Sequence, residues 1–232
     1  MTSHQRVLVV AAHPDDEVLG CGALCAKLAM SGAMISVLIL GEGATSRDQP
    51  LANSTMNKAV LQLQQQARQA AVILGAQPPL FGGFPDNRFD TVALLELIKC
   101  VEAAKAAVRP TLVLTHHAGD LNIDHVQTHR AVMTAFRPLP GEEVRELMAF
   151  EVLSSTEYAV TPVFFPFVPT VFVDVAGYVD RKVEALAAYT SEVHAAPHAR
   201  SEYAVRALAA RRGSQAGLQS AEAFTLLRRV QH

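Results

Sequence analysis

Two stretches of the chain concentrate side chains that can hold a metal or move a proton. The first is His13-Pro14-Asp15-Asp16-Glu17, directly after the apolar run Val7–Ala12. Imidazole and carboxylate are the usual ligands of a zinc site, and a catalytic site leaves one coordination position open. Four ionisable groups crowded at the end of a buried strand are costly unless they bind or react with something. Acidic side chains at a helix start would account for Glu17 and one aspartate through the helix dipole. They would not account for a histidine and two aspartates together. Pro14 stiffens the turn, and no Gly-x-Gly-x-x-Gly follows the strand, which weakens a dinucleotide-binding reading. The second stretch is His116-His117-Ala118-Gly119-Asp120-Leu121-Asn122-Ile123-Asp124-His125, after the strand-like Thr111–Thr115. A lone histidine in such a loop is more often a surface residue, but three with two aspartates are not well described that way. His129, one helical turn beyond His125, reads as a surface residue or one behind the ligands.

The elements that must bring these loops together can be read from the hydrophobic pattern. Val7–Ala12 is continuously apolar, as in a strand covered on both faces. Val18–Met30 has helical spacing and stops at Ser31-Gly32, and Met34–Leu40 is a second β-rich run, so the first forty residues form a β-α-β unit. A long helix over Thr55–Leu74, a loop over Phe81–Arg88, a helix over Thr91–Val108 ended by Arg109-Pro110, and the strand Thr111–Thr115 follow. Later segments predict strands near Ala149–Leu153 and Thr170–Val175, and helices near Asp180–Thr190, Ser201–Arg211 and Ala221–Arg228. This alternation predicts an α/β protein, a three-layer α/β/α sandwich with a mostly parallel, Rossmann-like sheet. In such sheets ligands bind in the crevice at the carboxyl ends of the strands, where both polar stretches lie.

The chain has 232 residues, half of them hydrophobic, which suits one domain over residues 1–232 and excludes a mostly disordered chain. A net charge of −2 marks neither nucleic acid nor an anionic membrane as a partner. The apolar stretches are too short for a membrane span. The opening residues carry no charged-then-apolar leader, and three cysteines are too few for a disulfide scaffold, so a cytoplasmic protein is expected. Cys21 and Cys25 read as buried small residues. The adjacent pairs Arg211-Arg212 and Arg228-Arg229 read as solvated helix faces.

Together the two motifs resemble the PIG-L/LmbE-like family of zinc-dependent N-deacetylases, with its Ala-His-Pro-Asp-Asp-Glu near the N-terminus and its His-x-Asp-His mid-chain. Ala12–Glu17 matches the first in full, and Asn122-Ile123-Asp124-His125 matches the second except that Asn122 stands in place of histidine. Ala221-Glu222-Ala223-Phe224 is similar to the family's Ala-Glu-x-Phe ending. The resemblance implies that His13, Asp16 and His125 hold one Zn2+ per chain and that Asp15 is the general base. Zinc lowers the pKa of its bound water to about 7, and Asp15 would take the proton during attack on the amide and deliver it to the leaving amine. Glu17 would tie the loop to the helix start.

Asparagine donates hydrogen bonds but cannot serve as a general acid. Either Asn122, held beside Asp124, is a neutral oxyanion donor, or another histidine has taken the acid role, with His116, His117, His194 and His198 as candidates. Pro197-His198-Ala199-Arg200-Ser201 is the segment the resemblance directs attention to, against a solvated loop as the ordinary reading. Arg47 after the second strand and Asp86 and Arg88 in the Gly/Pro loop are substrate-facing candidates. Internal pairs, Arg47 with Asp48 and Asp86 with Arg88, are the alternatives.

The reading is a zinc-dependent amidohydrolase that removes acetyl from an N-acetylated amino sugar or sugar conjugate, the sugar coming from the resemblance alone. Homo-oligomerisation is a family expectation. The apolar stretch Val160–Val175, with Phe164, Phe165 and Phe167, reads as a subunit contact, a lid or a buried loop. The rivals are a catalytically impaired sugar-binding or regulatory relative and a metal-dependent phosphoesterase. The latter would call for more carboxylate ligands.

Overall fold

The computed structural model describes residues 5–44, 53–160 and 165–231. Its strands are β1 (Arg6–Ala11), β2 (Met34–Gly41), β3 (Leu80–Phe84), β4 (Leu112–His116), β5 (Glu146–Phe150), β6 (Val171–Asp174) and β7 (Ala221–Arg229). They form one sheet in the order β3-β2-β1-β4-β5-β7-β6. The first five run parallel, and β7 lies antiparallel between β5 and β6. The helices are α1 (Asp16–Met30), α2 (Asn53–Leu74), α3 (Leu94–Val108), α4 (Ile123–Ala135), α5 (Val179–Ala187) and α6 (Glu202–Gln215). Along β1, Val7, Val9 and Ala11 pack with α1, α2 and α5 residues, while Leu8 and Val10 pack with α3 and α4 residues. A strand buried on both faces has no polar side to present, which is why its sequence reads as an unbroken apolar run.

The order of the strands places the chemistry. From β1 the chain builds outward through β2 to β3, then returns to lay β4 against the other side of β1. The loops leaving β1 and β4 therefore part in opposite directions from adjacent strand ends, opening the crevice that this topology always provides. Both polar stretches sit there.

Four expectations about elements are corrected. Part of the expected loop Phe81–Arg88 is the edge strand β3, and a Cβ on Gly82 would lie 2.8 Å from the Leu40 carbonyl oxygen, so glycine there permits the strands' close approach. The helix expected from Thr91 starts at Leu94, after a short 3-10 turn at Phe89–Thr91. The strand expected at Ala149–Leu153 lies at Glu146–Phe150. Ala221–Arg228, expected as a helix, is strand β7. Its Ala, Glu and Leu favour helix locally, but ladder bonds to β5 and β6 outweigh that preference. One arginine of each adjacent pair is ion-paired rather than merely solvated: Arg212 forks onto Glu151 and Arg229 onto Glu146.

Helix α1 is broken at Cys21, where φ is −150°. The freed groups are met from β7 and α5: Glu222 accepts from the Ala23 and Leu24 N–H groups, and Lys182 donates to the Leu19 carbonyl and to Glu222. Cys21 and Cys25 are free and buried. Of the apolar stretch 160–175, Phe165 and Val168 are exposed, so a buried loop does not describe them, and Phe164 lies outside the described residues. No helix among the described residues is long and apolar enough to cross a membrane.

Candidate active site

At the end of β1 the chain makes a tight turn. Asp15 adopts the left-handed conformation, with φ 101°, a strained state for a non-glycine residue. Neighbouring contacts hold it there. Glu17 Oε2 accepts the Asp15 N–H at 3.1 Å, and Tyr189 donates its hydroxyl to Glu17 Oε1 at 2.6 Å. The Asp15 carbonyl then starts α1 by accepting from Val18 and Leu19. Asp16, the first residue of α1, turns its carboxylate back to accept the His13 N–H at 2.8 Å. Glu17 is thus the structural tie between loop and helix.

The loop after β4 brings the second half. Asn122 caps α4, its Oδ1 accepting from the Asp124 N–H at 2.8 Å, and this sets Asp124 and His125 in the helix's first turn. His13 Nδ1 lies 3.4 Å and His125 Nε2 3.3 Å from Asp16 Oδ2. One ligand atom from each of His13, Asp16 and His125 lies within 4.8 Å of the others. The remaining nitrogen of each imidazole is held by carboxylate: His13 Nε2 faces Asp124 at 3.0 Å and Asp86 at 3.1 Å, and His125 Nδ1 faces Asp120 at 3.1 Å. That arrangement is the one that would orient a metal-binding histidine and leave its other lone pair free for an ion. The donor set therefore fits zinc.

Behind the ligands lies His116, fully buried. Its Nε2 accepts the Ala12 N–H at 2.8 Å, and its ring stacks on His125 at 3.9 Å. Asp120 is buried too, and accepts from the Ser155 and Thr156 hydroxyls and from the Asn122 N–H. A Cβ on Gly119 would run into the Phe165 carbonyl, so glycine lets the 165–168 segment close against this loop.

The electrostatics follow from burial and crowding. Burial pulls the His13 pKa down, but hydrogen bonds to Asp124 and Asp16 outweigh it and raise the value to about 10. His125 is likewise opposed by burial and raised by Asp16 and Asp120, to about 9. Burial pushes the Asp15 carboxyl well above the usual range; Arg200 opposes this, while the charges of Asp16, Glu192 and Glu17 add to it. Asp16 is held well below that range despite burial, chiefly by His125 and His116. Burial raises Glu17 to about 7 against the Tyr189 hydrogen bond. Asp16 and Asp120, both held below the usual carboxylate range, face the imidazoles, a setting that favours a cation.

These groups face a polar cavity of about 180 Å³, whose walls include His13, Asp15, Asp16, Asp86, Asn122 and His125. Two larger hollows, about 330 and 380 Å³, lie around Leu139–Glu142 away from this edge, and their walls carry no such ligand set. Asp124 sits behind His13 rather than in the cavity wall, accepting also from the Phe89 N–H. Arg47 lies outside the described residues. Arg88 is exposed, its carbonyl taken by Thr91. His198 is exposed, its ring tilted against His194 with centroids 4.2 Å apart, and it accepts the Arg200 N–H. From the segment around it, Arg200 and not His198 reaches the cavity. His117 donates to the Phe165 carbonyl.

Sequence reasoning missed Asp120 as the partner of His125, and Arg200, Glu192 and Ser155 as cavity residues. Asp120 stood inside the polar loop already singled out. Glu192 had no local signal.

The family model PIG-L, described as GlcNAc-PI de-N-acetylase, matches residues 8–136. An Escherichia coli protein named as an uncharacterized deacetylase, YaiS, is 27% identical over 174 residues, 72% of this chain and 80% of that protein. A Bacillus anthracis protein named as a probable N-acetyl-alpha-D-glucosaminyl L-malate deacetylase 2 is 27% identical over 196 residues, 83% of each. The crystal structure of GalB, a 4-carboxy-2-hydroxymuconate hydratase from Pseudomonas putida KT2440, superposes with a TM-score of 0.77 at 23% identity over 98% of both chains. That last likeness is one of fold.

Proposed function

The chain belongs to the PIG-L family, and from that premise we propose that it is a zinc-dependent amidohydrolase removing the acetyl group from an N-acetylated amino sugar or sugar conjugate. One observation carries the reading: His13, Asp16 and His125 converge on a polar cavity that Asp15 also lines. Fold alone would not choose the reaction, since the same architecture is found in a hydratase.

His13, Asp16 and His125 would hold zinc, which when bound would supply Lewis-acid polarisation of the amide carbonyl and lower the pKa of water to about 7. Asp15 does the proton transfer. Its carboxylate takes a proton from water as the new C–O bond forms, then passes it to the amide nitrogen as the C–N bond breaks, leaving acetate and a free amine. A buried carboxyl with a raised pKa suits both halves of that exchange. Asn122 contributes no proton. It caps α4 and donates Nδ2–H to Asn87 at 3.0 Å, so it fixes part of the cavity wall. Asp86, buried in the same wall, would accept from sugar hydroxyls with the oxygen that does not face His13. The free cysteines suit a reducing cytoplasm.

The test is elemental analysis of zinc, with acetate release from a panel of N-acetylated amino sugars and their conjugates. Wild type is expected to hold about one zinc per chain and His125→Ala to lose most of it. Asp15→Asn should keep zinc and lose turnover by about 10²–10⁴-fold. Folded wild type that takes up no zinc, or zinc-loaded protein that releases no acetate across the panel, would overturn the reading.

A further inference from the structure

Arg200 comes from the loop between α5 and α6, beyond residues 8–136 matched by the family model. Its guanidinium spans three groups at the cavity. Nη1 donates to Asp15 Oδ2 at 3.1 Å and to Glu192 Oε2 at 2.7 Å, and Nε donates to Ser154 Oγ at 2.8 Å. Glu192 is buried, and both it and Ser154 line the cavity. The planar fork is therefore anchored at two points before it meets Asp15, which distinguishes it from a surface ion pair between flexible chains.

We propose that Arg200 is the positioning residue for Asp15, fixing the direction in which its carboxylate meets water and the amide nitrogen. This inference rests on the deacetylase reading above. Asp15 is held at two ends. Its backbone is fixed in the left-handed conformation by Glu17, itself held by Tyr189. Its carboxylate is free to rotate about the side-chain bonds unless something beyond the turn restrains it, and the contact made by Arg200 supplies that restraint. Arg200 also sets one positive charge among the carboxylates of Asp15, Asp16 and Glu192, so Asp15 need not swing away from its neighbours. Guanidinium remains charged at any working pH, so it cannot replace Asp15 as an acid. It touches the base and not the metal ligands.

The experiment uses zinc-loaded wild type, Arg200→Ala and Arg200→Lys, with crystal structures of each and kinetics on a substrate that wild type deacetylates. Both variants should retain about one zinc per chain. Arg200→Ala should lose about 10²-fold in kcat, the cost of a misplaced catalytic group, with KM changed only a few-fold. Added guanidinium chloride at low concentration should restore at least a tenth of that loss in Arg200→Ala and should do nothing for wild type. In its crystal structure the Asp15 carboxylate should leave its wild-type rotamer. Arg200→Lys keeps the charge but not the fork, and should remain impaired without rescue. An unmoved Asp15 in the Arg200→Ala structure refutes the inference whatever the substrate proves to be, and Arg200→Lys serves if the alanine variant does not fold. A loss confined to KM, without guanidinium rescue, refutes it too, by making Arg200 a substrate contact. Absence of acetate release from wild type sinks the deacetylase reading instead, while the crystallographic comparison still decides whether Arg200 orients Asp15.

Discussion

Replacing Asp120 with asparagine keeps the shape of the side chain and removes its charge. In the native site Asp120 Oδ1 lies 3.1 Å from His125 Nδ1 and also accepts the Asn122 N–H, while the hydroxyls of Ser155 and Thr156 complete its shell. Burial works against the carboxylate, but these hydrogen bonds and the His125 charge prevail and hold its pKa at about 2, against 3.8 for the free group. The difference corresponds to about 2 kcal/mol of stability in the metal-free protein. Because the folded value lies below the unfolded one, that contribution is present above about pH 4 and is lost as pH falls toward 2. Asp120→Asn should therefore lower metal-free stability at pH 7 by about 2 kcal/mol, read from urea unfolding. The same substitution weakens the hold on His125. Partners of metal-binding histidines are worth about 10–100-fold in metal affinity, or about 1.4–2.7 kcal/mol. Competition against a zinc chelator measures that directly. Wild-type zinc affinity in a folded Asp120→Asn protein would refute the idea that Asp120 orients His125.

Glu222→Gln should cost about 3–5 kcal/mol in urea unfolding, because it strips the partner from buried Lys182 at the break in α1; a loss under about 1 kcal/mol would show that the break holds itself. Gly20→Ala drives a Cβ into the Phe150 ring, so about 1–3 kcal/mol of destabilisation is expected from thermal unfolding. The raised pKa values of His13 and His125, about 10 and 9, mean that both imidazoles carry protons at pH 7 without metal. Zinc uptake should then release protons and strengthen as pH rises toward 9. Calorimetry in buffers of different ionisation enthalpy reads the release, and buffer-independent heats would contradict it.

The C-terminal third contributes more to the site than its apolar and arginine-rich character suggests. Tyr189, Glu192 and Arg200 all bear on Asp15 or its support, from an element order that ends by threading β7 between β5 and β6. The segment's hydrogen bonds to α1 also fix where that helix breaks.

The local order of residues was enough to single out the two polar stretches that converge at the candidate site, and the general architecture. Imidazole and carboxylate packed after buried strands have few other uses, and alternating apolar runs and helical repeats impose a covered parallel sheet. Even the correct role of Glu17 was legible, since an acidic residue at a helix start has a natural partner in the backbone just before it. What sequence could not decide was anything set by partners distant along the chain. Ala221–Arg229 has helix-forming residues yet becomes a strand, because the sheet's open position rewards ladder hydrogen bonds that no local preference anticipates. His198 and Arg200 are two residues apart in one exposed-looking loop. Only the way that loop folds over the strand ends turns the arginine inward onto Asp15 and leaves the histidine against His194 outside. Residue type declares what chemistry is available, while the packing of remote segments decides which atoms come within reach of it.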